Sequence, residues 1–204
     1  MKQILLILTI LAVCPLDTQA QLLRQMFLNM PDSIAAYLSK NQRQELMDYY
    51  DMGADAVAKN MLGSDTRLDT LSGDFLTAAL SEAQTLSIRL VGRQDADTVA
   101  IVVRTFHAPQ AESLAYLCST DWKSTRLLNP APTELIAKPD TMSAEQYDKL
   151  VPLLAPYMVK ADLSSVDPVL TFSLSIPFGR KDDDDALRTI LLQKEVKLDN
   201  IFLK

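Results

Sequence analysis

The stretch Gln84 to Phe106 constrains the fold more than any other part of the chain. Leu86, Ile88 and Leu90 alternate with Ser87 and Arg89, the period-two pattern of a strand with one buried face. Gly92 to Asp97 then supplies a polar reversal, and Thr98 to Phe106 returns as a second strand. In that second strand Val99, Ile101 and Val103 alternate with Ala100 and Val102, so both faces are apolar and the sequence predicts a central strand covered on two sides. An antiparallel sheet follows from this hairpin.

The flanking sequence extends the sheet. Thr66 to Leu71, Asp74 to Leu80 and Glu112 to Ser119 read as further strands, with Ser72-Gly73, Glu82-Ala83 and Ala108-Pro109-Gln110 at the breaks. Spacing of this kind is what a meander gives. Two short helices precede it. One starts at Asn29-Met30-Pro31-Asp32-Ser33 and carries Ile34, Ala35, Tyr37 and Leu38, and the other runs from Gln42 to Met52 with Gly53 as its stop. Asp55 to Leu62 reads as a helical turn or irregular connector. Trp122, the single tryptophan, is expected to cover one end of the core.

Asn129 to Asp140, with three prolines, reads as a surface connection and marks a possible break between two halves of one domain. Beyond it Ser143 to Leu154 is the clearest helix, with Ser143 and Gln146 spaced for a capping box and Tyr147, Leu150, Val151 and Leu154 on one face. Leu170 to Ile176 alternates completely, so its four hydrophobes should face the core. Ala186 to Leu198 is expected to be the last strand. The sum is an α+β fold, an antiparallel sheet of about six to eight strands with three or four short helices on one face.

The first twenty residues read as an export signal. Lys2 precedes an apolar run from Ile4 to Val13, and Thr18-Gln19-Ala20 offers a cleavage site before Gln21. Cleavage before Cys14, as in a lipoprotein, is the weaker fit because Val13 is bulky where such signals carry a small residue. The mature chain, residues 21–204, is then expected to be one domain in the periplasm or outside the cell. Cys118 is left as its one cysteine, so no internal disulfide is available and the core has to supply stability.

Charge and motifs narrow the function by exclusion. A net charge of −6 with no cluster of Lys and Arg argues against a nucleic-acid partner, and the apolar run is too short for an integral membrane span. His107, the single histidine, stands at a strand end without a nucleophile motif and reads as a surface residue rather than a general base. The run Asp182 to Asp185 lacks the alternate spacing and glycine of a calcium loop and reads as a solvated turn. The five glycines build no phosphate-cradling loop. The sequence therefore assigns no catalytic, cofactor-binding or metal-ligating residue and no cofactor.

Met30-Pro31-Asp32-Ser33, Tyr37-Leu38-Ser39-Lys40-Asn41 leading into Glu45-Leu46-Met47-Asp48, Leu68 to Leu80, Val103-Arg104-Thr105, Glu112-Ser113 and Thr120-Asp121-Trp122 together resemble a family of exported Bacteroidales proteins, domain of unknown function 3256. These are packing and turn motifs, and the resemblance implies no catalytic residues. The favoured expectation is a non-enzymatic binding or interaction module of the cell envelope with an unknown protein partner. The alternative is a carrier of a small apolar ligand or lipid, with Met26, Met47, Met52 and Met61 as adaptable walls. A hydrolase using only carboxylates such as Glu82, Glu112 and Asp121 comes third.

Overall fold

A computed structural model describes residues 16–92, 98–107, 110–176 and 184–201. Helix α1 (Leu16–Leu28) and helix α2 (Lys40–Asp51) precede seven strands: β1 (Val57–Lys59), β2 (Asp65–Leu71), β3 (Phe75–Ser81), β4 (Gln84–Val91), β5 (Val99–Phe106), β6 (Glu112–Ser119) and β7 (Thr125–Leu127). They form one antiparallel sheet in sequence order, the meander that the turn spacing predicts. After a connection holding helix α3 (Ala144–Leu150), β8 (Met158–Leu163), β9 (Val169–Ser175), helix α4 (Asp184–Ile190) and β10 (Lys194–Lys197) complete the described chain. The last three strands make a second antiparallel sheet with β9 in the middle. The fold is α+β.

The large sheet separates two apolar interiors. On one face Leu76, Leu86, Ile88, Leu90, Ala100 and Val102 pack against Leu23, Met26 and Phe27 of α1 and Leu46 and Met47 of α2. On the other, Val99, Ile101, Val103, Ala115 and Leu117 meet Val159, Ala161 and Leu163 of β8 and Leu170, Phe172 and Leu174 of β9. Strand β5 thus gives alternate residues to each interior, as its two-sided apolar pattern requires. Cys118, the one cysteine among the described residues, is free, and burial of both faces of one sheet supplies the stability.

Helix α2 begins where Ser39 and Gln42 exchange hydrogen bonds in a capping box, Gln42 Oε1 accepting from Ser39 N at 2.8 Å. Gly53 follows it with φ +67°, the left-handed conformation that ends helices cheaply. Ser143 caps α3 in the same way as Ser39 caps α2. Arg24 clamps α1 to α2 through two bonds to Asp51, at 2.8 and 2.6 Å.

Several expectations are corrected. Ala186 to Leu198 is not one strand: Leu187 and Ile190 lie on one side of α4 and are fully buried, and only Lys194–Lys197 is extended. Residues 29–38 form turns rather than a helix, since a run this short gains too few hydrogen bonds to offset nucleation. Val57–Lys59 is a strand rather than a helical connector, and β7 and β8 join the sheets unforeseen. The polar turn before β5 and the second half of Asp182 to Asp185 fare differently. Residues 93–97, 182 and 183 lie outside the described residues, as do the leader through residue 15 and Cys14, whereas Asp184 and Asp185 open α4.

Arg89 joins the two layers. It shares the face of β4 opposite Leu86, Ile88 and Leu90, as the alternation predicts, yet it is 4 % exposed. Its guanidinium donates to four successive carbonyls of the turn between β8 and β9: Ser164, Asp167 (2.6 Å), Ser165 (3.2 Å) and Val166 (3.3 Å). Nε pairs with Asp74 Oδ2 at 3.1 Å, and the cation sits 5.6 Å from the Phe75 ring centre. Planar N–H groups spread in a fork suit this task, which a lysine ammonium does not. Arg89→Ala should lower unfolding free energy by about 3 kcal/mol in urea titration, because it removes the bonds of a buried guanidinium to four turn carbonyls, its ion pair with Asp74 and its packing on Phe75. Arg89→Lys should recover less than half of the loss. A loss for Arg89→Ala under about 1 kcal/mol would contradict the role given to this side chain.

Candidate functional site

The helical layer does not cover the whole of the face it packs on. Along β5 the residues on that face are Ala100, Val102, Arg104 and Phe106, and the first two are buried beneath the helices while the last two are only partly covered. Pairing of Gln84 with Phe106 and of Leu86 with Arg104 brings Gln84 beside Arg104 on the same face. The turn at 31–38 approaches from above, held where Arg104 Nη1 donates to Ser33 O at 2.8 Å and Met61 N donates to Tyr37 O at 2.8 Å. An open groove of about 320 Å³ results.

Its apolar wall includes Ala35, Leu38, Leu80 and Phe106. Tyr37 and Leu62 stand at the rim, 51 % and 65 % exposed. The polar wall holds Asn60, Ser64, Ser81, Gln84 and Arg104. Asn60 is a buried structural residue: its Oδ1 accepts from Leu62 N and Ser64 N, and its Nδ2 donates to Leu80 O at 3.1 Å, which fixes the rim turn. Arg104 lies 5.2 Å from the centre of the Phe106 ring. The Gln84 amide, turned as the hydrogen-bond network requires, accepts from Arg104 Nε and Nη2 at 3.1 Å each. Burial pulls the Arg104 pKa down from its usual value, and no carboxylate among the described residues pairs with it.

A second groove, of about 390 Å³, opens between α3 and α4 and is lined by Pro139, Met142, Leu150, Ala186 and Thr189. A third, over the outer face of the small sheet, is polar, with Lys160, Asp162, Thr171 and Ser173. At the edge of the large sheet all three residues of β7 are exposed.

The residues weighed from the sequence fall outside these grooves. His107 is exposed, 3.2 Å from Thr85 Oγ1 through Nε2, and among the described residues no carboxylate bonds to it to complete a catalytic chain. Glu82 and Glu112 are at one end of the sheet and Asp121 at the other, about 27 Å away along an eight-residue strand at ~3.4 Å per residue, so the three do not converge. Asp121 is occupied: bonds from Lys123 and Ser119 hold its carboxyl well below the usual range. Met26 and Met47 are in the filled core, and Met52 and Met61 are at the surface, so the four methionines do not share a pocket wall. Among the described residues no three His, Cys, Asp or Glu side chains gather in a metal-binding group. Trp122 lies where expected, donating from Nε1 to Met26 O at 2.9 Å and covering the end of α1.

Fold and site together define a class: an α+β meander sheet with α1 and α2 on one face and, on the other, a second sheet with α3 and α4, where the sequence predicts every helix on one face, carrying open grooves and no assembled catalytic group among the described residues. The sequence model of a family described as protein of unknown function, DUF3256, matches residues 15–198, and the chain belongs to that family. A solved domain of an uncharacterised protein from Porphyromonas gingivalis W83 has the same fold, with a TM-score of 0.66 at 17 % identity, covering 85 % of this chain and 91 % of that one. A search of the curated proteins found no match. The family and neighbour therefore carry the fold across and no activity.

Cys118 has its thiol in the helical core, and burial pushes its pKa up to about 12. At pH 8 the thiolate is scarce and the sulfur is shielded, so iodoacetamide should label native protein at the rate of unfolding and label urea-unfolded protein within minutes. Rapid labelling of the native chain at pH 8 would contradict the packing of β6 against the helices.

Proposed function

We propose that the protein is an exported, non-enzymatic binding module of the cell envelope, and that the groove at the uncovered end of the helical face is where it binds. The observation that carries this reading is the union of exposed Tyr37 and Leu62 with half-buried Arg104 in one open concavity. Concave sites with apolar walls and a few converging polar groups are the usual form of a binding site. Among the described residues the side chains of both interiors are buried against one another, which favours an open face for recognition. Export is supported by Lys2, the Ile4 to Val13 run and the Thr18-Gln19-Ala20 cut. A cut after Ala20 falls inside α1 and retains Leu23, Met26 and Phe27, the residues through which that helix packs. Among the described residues no helix is long and apolar enough to cross a membrane.

The carrier reading keeps one observation in its favour, the apolar groove between α3 and α4, which is large enough for a short acyl chain. That groove is the more open to solvent of the two, which ranks the reading second.

A photoreactive residue placed at Leu62 and expressed in the native organism should give one dominant adduct, and the same residue at Val166, 81 % exposed on a different turn, should give none. Tyr37→Asp should remove the adduct. The adducted chain should be in the envelope fraction and begin at Gln21. Equal adducts from both positions, or none from Leu62, would refute the groove as the binding face, and an uncleaved cytoplasmic chain would refute export.

A further inference from the structure

The groove holds donors that the fold does not use. A guanidinium carries five N–H groups. Of those on Arg104, one goes to Ser33 O and two to the Gln84 oxygen, which leaves one N–H on each terminal nitrogen. With its oxygen committed to Arg104, Gln84 keeps its own NH₂ as a further donor. Two of the acceptors nearby are already in use: Asn60 Oδ1 takes two backbone N–H groups, and Leu80 O takes Asn60 Nδ2 and Thr66 Oγ1.

Charge points the same way. Among the described residues eight arginines and lysines, such as Arg24 with Asp51 or Arg89 with Asp74, lie within 4.0 Å of a carboxylate, whereas Arg43 and Arg104 are drawn out of water without one, and of these two Arg104 is the one that lines the groove. Arg104 is partly desolvated and has only neutral oxygens and the Phe106 ring. A cation drawn out of water without a counter-charge favours an anion that can reach it. The surrounding wall of Ala35, Leu38, Leu62 and Phe106 disfavours a heavily hydrated anion and suits one attached to an apolar body. A volume of about 320 Å³ is at the small end for ligand sites, enough for one short apolar chain with its head group.

We propose that this groove binds a monocarboxylate with an apolar tail, its carboxylate on Arg104 and the Gln84 amide and its tail against Phe106, Leu38 and Leu62. The proposal rests on the groove being the binding face, and it adds the chemistry of what is bound. Two sources present that chemistry, a short free fatty acid and the C-terminus of a peptide ending in apolar residues.

The test is calorimetric titration of the full mature chain with four probes: octanoate, octanamide, acetyl-Leu-Leu with a free carboxylate, and the same dipeptide amidated. At least one carboxylate should bind tenfold or more tightly than its own amide, and the preferred pair identifies the source. Arg104→Gln should cost the carboxylate tenfold or more and leave the amide unchanged. Since Arg104 also holds the 31–38 turn, Gln84→Glu provides a second route: it gives Arg104 an internal carboxylate while keeping the turn, and it should abolish carboxylate binding with the thermal midpoint unchanged or raised. Equal affinity for acid and amide, retained carboxylate affinity in Arg104→Gln, or no binding of any probe at millimolar concentration would overturn the proposal. An adduct at Leu62 alongside such a failure would leave the binding face standing and remove only the carboxylate.

Discussion

Strand β5 lies between two apolar interiors, sending Ala100 and Val102 into the helical layer and Val99, Ile101 and Val103 into the second sheet, so neither interior can form without the other side of the same strand. Its backbone is paired along its whole length on both edges, to β4 and to β6. That arrangement suits a chain whose one cysteine among the described residues, Cys118, is buried and unpaired. Hydrophobic burial on two faces replaces a covalent staple, and the strand between them becomes the element on which both layers depend.

The layers are fastened by a repeated device: arginine side chains donating to backbone carbonyls of the turns that close each layer. Arg89 gathers residues 164–167 onto the sheet, Arg43 donates to Leu38 O at 3.1 Å, and Arg104 donates to Ser33 O. Arg43 and Arg104 grip the two ends of one turn, which roofs the groove. Loops cannot be buried with unpaired carbonyls, and a fork of N–H groups satisfies several at once. Arg89 and Arg43 are enclosed, while Arg104 is reached by solvent through the groove. Of these three arginines Arg104 is thereby the one whose remaining donors a ligand can reach, whereas Arg43 Nε is buried without a partner.

Much of this frame was legible because the sheet writes a period of two directly into the sequence. The alternation in Gln84 to Phe106 gave both strands and the two-sided burial of the second, and Ser143 with Gln146 gave the start of α3. The failures have physical causes. Leu187, Ile190 and Leu191 fit a helix at three- and four-residue spacing, but Leu192, Val196 and Leu198 beyond them also fit a strand, and the alternation won. Helix α1 was hidden because its opening residues also read as the end of a leader. Arg89 was placed on the correct face, yet nothing in its neighbours distinguishes an arginine that reaches water from one that reaches four carbonyls. The groove was the least legible feature. Its walls come from 35–38, 60–64, 80–84 and 104–106, brought together by strand register and by the bonds from Met61 N to Tyr37 O, Arg104 to Ser33 O and Arg43 to Leu38 O.

The dependence of both layers on one strand is most directly tested by native-state hydrogen exchange. The amides of Ala100 to Val103 should exchange only through global unfolding, with the same free energy as that measured by urea, while those of α1, α2 and β8 to β10 exchange as fast or faster. If the β5 amides exchange through smaller openings than those of either covering layer, the shared wall is not what holds the protein together.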